Sequence, residues 1–379
     1  MCSRNTDHKN LSLARLHTDV IRGTSGGKII WQPRIGCWLT DKLFAKQTLP
    51  KPYEGISLPE IYQSLNCSAR IYEYNGCFKK MHDPRVRCFS ESNSDGSVSD
   101  IIDTPAGRVF QVTEKVNSSW YPLIRKRWAV TEEDLVVFSW IEERCFWEFD
   151  PEEFRCVKAT WGDLGAPTMF MPRVNVQHLY IDLMGVERAI YALCENTVAV
   201  GRYFQVLEES HERLIQVINR SPVDIINFGD NVHASTLSPP LFKKYILPTY
   251  QRRNDLLHGA GKFTHAHWDG DTKPLLPFAR ETGLDGIEAI TPLPQGDVAL
   301  GEIKAGLGDD MFLIDGIAAI LFNDMFPLTQ LEYQAKKIIE YFAPRLVLGI
   351  SDEISSTGDI ERIRFVGAIV DEYNAAISI

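Results

Sequence analysis

From about residue 200 to about residue 375 the chain repeats one pattern, a short apolar run followed by an amphipathic stretch. No other feature of the sequence constrains its fold as tightly. "GRYFQVLEESHERLIQVINRS" has apolar residues at helical spacing and leads into "VDIINFGD", a run of the buried-strand type. "SPPLFKKYILPTYQRRNDLLHGAG" predicts a second helix, with Ser238 at its N-cap, Pro239 in its first turn and Gly259 and Gly261 near its end. Then come the strand "KFTHAHWDG", the helix "KPLLPFARETG", the strand "LDGIEAITP" and the helix "PQGDVALGEIKAGLG". The strand "MFLIDGI", the helix "TQLEYQAKKIIEYFA", the strand "RLVLGISDE" and the helix "STGDIERIRFVGAIVDEYNAA" complete the run. A helix after each strand carries the chain back across the sheet, so successive strands lie parallel. About five such units in half a chain predict a (β/α)8 TIM barrel rather than a two-layer sheet.

The first half reads differently. "KIIWQPRIGCWL" predicts an early strand and "PEIYQSLN" a helix. "ARIYEYNG", "RVRCFSES", "GRVFQVTEKV" and "SSWYPLIRKRWAV" are short, aromatic or β-branched, and broken by turn residues. They predict an antiparallel β region inserted into the barrel near residues 70–130. "TEEDLVVFSWIEER" returns to helix, with Thr131 and Glu133 in its N-terminal turn. Residues 1–27 read as a lead-in to a single barrel domain spanning 1–379. "GTSGGK" within that lead-in precedes a strand and lacks Walker spacing, so it reads as a flexible segment rather than a phosphate cradle.

With 40 basic and 50 acidic residues the formal charge is −10, which argues against a nucleic-acid or anionic-membrane footprint. No apolar run reaches the roughly 18 residues of a membrane span, and the N-terminus has no signal-peptide core, so a cytoplasmic protein is expected. All eight cysteines precede residue 195 and none forms a CxxC pair. They read as reduced thiols, and a site built from the C-terminal half contains no thiolate.

In a parallel barrel the working residues gather where strands end. Those ends supply Arg34, then Asp230 and Asn231 with His233, then His265, His267 and Asp269, then Glu288, Asp315, Asp352 and Glu353. Along "THAHWDGD" alternation puts His265, His267 and Asp269 on one face. A His-x-Asp pair at a strand end can chelate one ion, with His265 as a supporting side chain; a hydrogen-bonded pair that fixes the following loop is the equal alternative.

The segment "DNVHASTLSPPLFKKYILPTYQRRNDLLHGAGKFTHAHWDGDTKPLLPFARETGLDGIEAI" resembles the second half of the uroporphyrinogen decarboxylase superfamily. "IIWQPRIGCW" falls at that family's first strand and "RLVLGISDEI" at its last, so the resemblance covers most of residues 28–375 and implies the barrel. Two branches differ in chemistry. The decarboxylases hold a polyanionic tetrapyrrole with paired arginines after the first strand. Arg34 matches the first of these, but Trp38 occupies the position of the second. The corrinoid-linked methyltransferases are zinc enzymes whose ligands lie in an H-x-C motif and after the last strand.

Carried over to this chain, the zinc set becomes His267, Asp269 in place of the first cysteine, Glu288, and Asp352 in place of the second, with Glu353 its rival. Carboxylates for thiolates leave a harder Lewis acid, suited to oxygen. The resemblance therefore implies transfer of a methyl group from a small methoxylated, aryl methyl ether substrate to the cobalt of a separate corrinoid protein. Asp230, Asn231 and Arg34 would attend the substrate. Tetrapyrrole decarboxylation, methyl transfer from a corrinoid protein to another acceptor, and a non-catalytic binding barrel are the alternatives. A homodimer is left open.

Overall fold

The computed structural model describes residues 12–195 and 197–377. Cys2 and the start of the expected lead-in lie outside them. In chain order the strands are β1 (Ile30–Trp31), β2 (Phe78–Met81), β3 (Arg87–Ser92), β4 (Val98–Thr104), β5 (Gly107–Glu114), β6 (Leu123–Lys126), β7 (Phe146–Phe149), β8 (Thr168–Met171), β9 (Ile225–Val232), β10 (Phe263–Trp268), β11 (Gly286–Glu288), β12 (Phe312–Ala318) and β13 (Leu346–Ser351). Seven of them form one sheet in the order β1-β13-β12-β11-β10-β9-β8, parallel throughout. The five strands expected after residue 200 are β9 to β13 of this sheet, β1 is the expected early strand, β8 was not foreseen, and the fold is a barrel of the (β/α)8 type. Its strands are buried on both faces, which is why they read as near-continuous apolar runs.

The gap between β1 and β8 is filled by residues 67–71. Ser68 N–H donates to Trp31 O (2.9 Å) and Ala69 N–H to Leu164 O (2.8 Å). Gly165 makes this approach workable, since a Cβ there would lie 2.1 Å from Ala69 O. The inserted β region therefore begins later than expected, because "ARI" belongs to the barrel wall. The antiparallel sheet β3-β4-β5-β6 spans residues 87–126, and β2 pairs with β7 in a separate ribbon. Ile101 and Val109 are buried from that sheet, Val109 as part of the main core that also holds Val137 of the helix Glu132–Arg144. That helix is capped by Thr131 with Asp134, not Glu133. The Asp134 carboxylate accepts from Val130 N–H (2.8 Å) and Thr131 N–H (2.9 Å).

Two further departures have local causes. Residues 13–21, expected as lead-in, form a helix whose Leu16, Val20 and Ile21 pack with Ile30, Ile225, Phe312 and Val347 and stopper the bottom of the barrel. The helix from Pro239 to His258 contains a π-helical turn, Phe242–Ile246, immediately before the Leu247–Pro248 step. Pro248 has no N–H and its ring crowds the carbonyl one turn back, so the helix widens there.

Candidate active site

Inward-facing side chains at the strand ends build one polar cluster. On β10, His265 and His267 point inward, whereas Trp268 packs edge-on against Phe242 outside the barrel (5.3 Å, 78°). His267 stands in register with Glu288 on β11, and Glu288 gathers the cluster. Its Oε1 lies 2.7 Å from Arg70 Nη1 and 2.8 Å from His267 Nδ1. Its Oε2 lies 3.0 Å from His265 Nδ1 and accepts from the Asn227 amide. Arg70 Nη2 donates to Asp315 Oδ1 at 3.0 Å, and Arg70 Nε to Gln32 Oε1 at 3.3 Å. Arg34 makes looser contacts, 3.6 Å to Glu288, 3.6 Å to Asp315 and 3.3 Å to Asp352.

Two buried guanidinium groups thus face two fully buried carboxylates, and their charges balance. The two acids respond differently. Burial favours the neutral form of Glu288, but Arg70, His265 and His267 outweigh it and hold this carboxyl well below its usual range. At Asp315 burial wins and pushes the carboxyl up to about 6, against the pull of Arg70 and Arg34 and with help from the Glu288 charge. Burial lowers His265, whose ring is therefore neutral at pH 7, and lowers His17 on the stopper helix to about 3. Gln32 Nε2 lies 3.3 Å from His17 Nδ1, so a hydrogen-bonded line runs from the stopper through Gln32 and Arg70 to Glu288 and His267.

The backbone at the strand ends is strained to present these groups. Asn231, Ala289, Asp315 and Asp352 have φ of 51°, 67°, 73° and 75°, a conformation that non-glycine residues adopt at a cost of order 1–3 kcal/mol. At Asp315 the neighbouring strand makes room. A Cβ at Gly349 would lie 2.3 Å from Asp315 Oδ1 and 2.8 Å from Gln32 O, so residue 349 has to be glycine.

The other expected site residues have separate fates. Asp230 is fully buried with both oxygens occupied, by Val174 N–H (2.7 Å) and the Tyr250 hydroxyl (2.6 Å). It ties the end of β9 to Val174 and Tyr250. Asn231 lies at the rim, where its Oδ1 accepts from Arg173 Nη2 (3.3 Å), and Arg173 also pairs with Asp182 (2.9 Å), itself bonded to His178 (2.7 Å). His233 bonds Thr236 (3.2 Å). Asp269 lies one residue beyond the end of β10 at Trp268, where the strand's alternation no longer fixes its direction. Its Oδ1 is buried with no hydrogen-bond partner among the described residues. Asp352 has a side chain 63% exposed and pairs with Arg34, whereas Glu353 accepts from Cys37 N–H at 2.6 Å, at the start of the helix Gly36–Phe44.

These positions do not fit the expected zinc set. A catalytic zinc takes about three protein ligands, and among the described residues no group of three His, Cys, Asp or Glu side chains is arranged to hold a metal. Of the four residues, His267 and Glu288 are the pair joined by a hydrogen bond among the described residues. Glu288 is consumed by two histidines, Asn227 and Arg70, and Asp352 by Arg34, so an added dication would face two guanidinium groups. What the arrangement does provide is a carboxylate-braced imidazole. Glu288 fixes Nδ1 of His267, and Nε2 has no hydrogen-bond partner among the described residues.

Arg70, Asn227, Asp315 and Gln32 form much of the cluster, yet only Asp315 stood out in the sequence. The signal for Arg70 was present: "CSARI" follows the helix Leu58–Leu65 at the distance of a second barrel strand. Tyr72 follows it, stacked on Phe170 of β8 (4.7 Å, 28°) within electrostatic reach of Arg34 and Arg70.

No protein-family model and no curated protein matches the sequence. Among solved structures, a methyltransferase from Methanosarcina mazei is similar over 96% of this chain and 99% of its own, with a TM-score of 0.58 at 15% identity. That likeness shows a shared fold. A B12-independent methionine synthase from Shewanella sp. W3-18-1, in complex with selenomethionine, matches over 84% of this chain and 86% of its own, with a TM-score of 0.43 at 10% identity.

Proposed function

We propose that the barrel mouth catalyses methyl transfer from a small methoxylated substrate, with His267 exchanging the proton and Arg34 receiving the oxygen that loses its methyl group. The observation that carries this reading is the His267–Glu288 pair, 2.8 Å at Nδ1, with no partner on Nε2 among the described residues. A proton on Nε2 completes an imidazolium–carboxylate pair, and transfer of that proton to the departing oxygen leaves a neutral alcohol or phenol. Arg34 is 6% exposed and its Nε has no hydrogen-bond partner among the described residues, so it keeps donor capacity for developing negative charge. The shared fold with a methyltransferase supports the reaction class. A corrinoid protein, implied by the sequence resemblance, would supply the nucleophile that takes the methyl carbon. Because the helix Leu13–Ile21 stoppers the bottom, that partner would approach through the mouth.

One observation favours decarboxylation instead: Arg70 restores the second guanidinium that Trp38 had replaced. Both of its Nη groups already face Glu288 and Asp315, however, which leaves it no free charge for a polyanion.

The test is to mix the protein with methoxyarenes and chemically reduced cobalamin, and to follow methylcobalamin by absorbance and released phenol by chromatography. Wild type is expected to turn over, and His267→Gln to lose about 100-fold or more, the usual worth of a general acid. Undiminished turnover by His267→Gln overturns the proposal, as does tetrapyrrole decarboxylation without methyl transfer. Metal analysis of the same sample is expected to find no stoichiometric zinc.

A further inference from the structure

A cleft of about 1210 Å³ lies outside the barrel interior, between the C-terminal end of the helix Gly36–Phe44, the inserted sheet and the loop after β13. It is not the His267 site, and none of the cluster residues lines it. Its chemistry departs from that of the whole chain. The protein carries an excess of 10 negative charges, yet this cleft is lined by Lys42, Lys46 and Lys115 against a single acid, Asp41. Lys46 and Lys115 have no ion-pair partner among the described residues. Lys46 is also held at φ 53°, a position after a helix end where glycine is the relaxed choice. Two aromatic rings line the same space and remain partly open, Phe44 at 43% and Trp120 at 39% exposed.

Trp120 is fixed, not loose. Its Nε1 donates to Asp41 Oδ1 at 3.1 Å, and Tyr121 covers it with ring centroids 3.7 Å apart. We propose that this cleft binds an anionic aromatic molecule, its ring resting on Trp120 and Phe44 and its phosphate or carboxylate held by Lys46 and Lys115. Ring contact supplies area at little entropic cost, and the unpaired ammonium groups supply the charge that excludes neutral analogues. At about 1210 Å³ the cleft is larger than the roughly 300–1,000 Å³ of ordinary ligand pockets, so a single ring system fills only the part beside Trp120 and Phe44. The site also touches the mouth through one loop. Tyr121, next to Trp120, lies within electrostatic reach of Cys37, Asp352 and Glu353. A ligand on Trp120 therefore holds that loop against the rim of the barrel.

Calorimetric titration of the full chain with 2-naphthyl phosphate, 2-naphthoate, 2-naphthol and inorganic phosphate tests this. At least one of the two aryl anions is expected to bind tenfold or more tightly than either naphthol or phosphate, and the better of the two identifies the acidic group. The double substitution Lys46→Glu with Lys115→Glu is expected to weaken that binding at least tenfold, and Trp120→Ala at least fivefold. All three positions are on the surface, so folding is not at stake. His267→Ala is expected to leave the titration unchanged. Equal binding of naphthol, indifference to the lysine reversals, or loss of binding in His267→Ala overturns the proposal, the last by moving the ligand to the barrel mouth. Naphthol or aryl anion bound at the barrel mouth is separated from the cleft by comparing the titrations in His267→Ala, so the outcome is read independently of the reaction proposed above.

Discussion

Replacing Asp315 by asparagine tests the electrostatics of the cluster directly. The carboxamide keeps the shape of the side chain and an oxygen for Arg70 Nη2, now at 3.0 Å from Oδ1, and removes only the charge. Asp315 is 0% exposed, and its carboxyl stands at about 6 against an ordinary aspartate value of 3.8. Because the folded value is the higher one, the folded state holds more protons than the unfolded state between those two values. Wild-type stability from this group therefore falls as pH rises through that window and stays low above it. At about 1.36 kcal/mol per pH unit, the gap corresponds to a loss on the order of 3 kcal/mol between pH 4 and pH 7. Other groups titrate in the same range. His17, His211 and His265 are lowered by burial and give stability that rises with pH instead. The useful quantity is therefore the difference between the two proteins. Urea denaturation at half-unit pH steps is expected to show Asp315→Asn gaining on wild type by about 2–3 kcal/mol from pH 4 to pH 7, most of it before pH 6.5. A difference that stays flat within about 0.5 kcal/mol would refute the reasoning, and would mean that Arg70 and Arg34 match the carboxylate fully.

Gly349→Ala puts a Cβ 2.3 Å from Asp315 Oδ1 and 2.8 Å from Gln32 O, and is expected to cost about 3 kcal/mol or more by denaturation. Adding Asp315→Ala should recover only part of that loss, since the Gln32 carbonyl remains; full recovery would show that the clash lies with the carboxylate alone. Tyr250→Phe leaves Asp230 Oδ2 without its 2.6 Å partner and is expected to cost about 1–3 kcal/mol in stability. Asp230→Asn should likewise keep turnover per folded molecule within about threefold; a folded Asp230→Asn protein with no activity would return Asp230 to the site.

The parts of the fold legible in the sequence were those with strong periodicity. Strands β9 to β13 and the helices between them followed from apolar runs alternating with amphipathic stretches, and the inward set His265 and His267 followed from the two-residue period of β10. Irregularity was hidden. Asp269 was placed with the histidines because alternation was extended past Trp268, where β10 ends. Asp230 shows the same limit: its outward role depends on Tyr250 and Val174, which are remote in sequence. The stopper helix Leu13–Ile21 was overlooked because its burial depends on a barrel bottom that only the folded chain creates.

Arg70 changes the meaning of the carboxylates expected at the mouth. Seen alone, Glu288 and Asp352 read as carboxylate ligands completing a metal set around His267, with Asp352 in place of a thiolate. Seen with Arg70 and Arg34 they are counter-ions. Glu288 Oε1 is 2.7 Å from Arg70 Nη1, and Asp352 Oδ1 is 3.3 Å from Arg34 Nη2. A metal site and an arginine pair solve the same electrostatic problem, neutralising carboxylates inside a barrel where water cannot. A carboxylate count from the sequence does not distinguish them, because the deciding cation comes from residues 67–71, a segment too short and too sparsely bonded to announce itself as a strand. The position of that one guanidinium is why the proposal above rests on proton transfer at His267 and not on Lewis-acid activation.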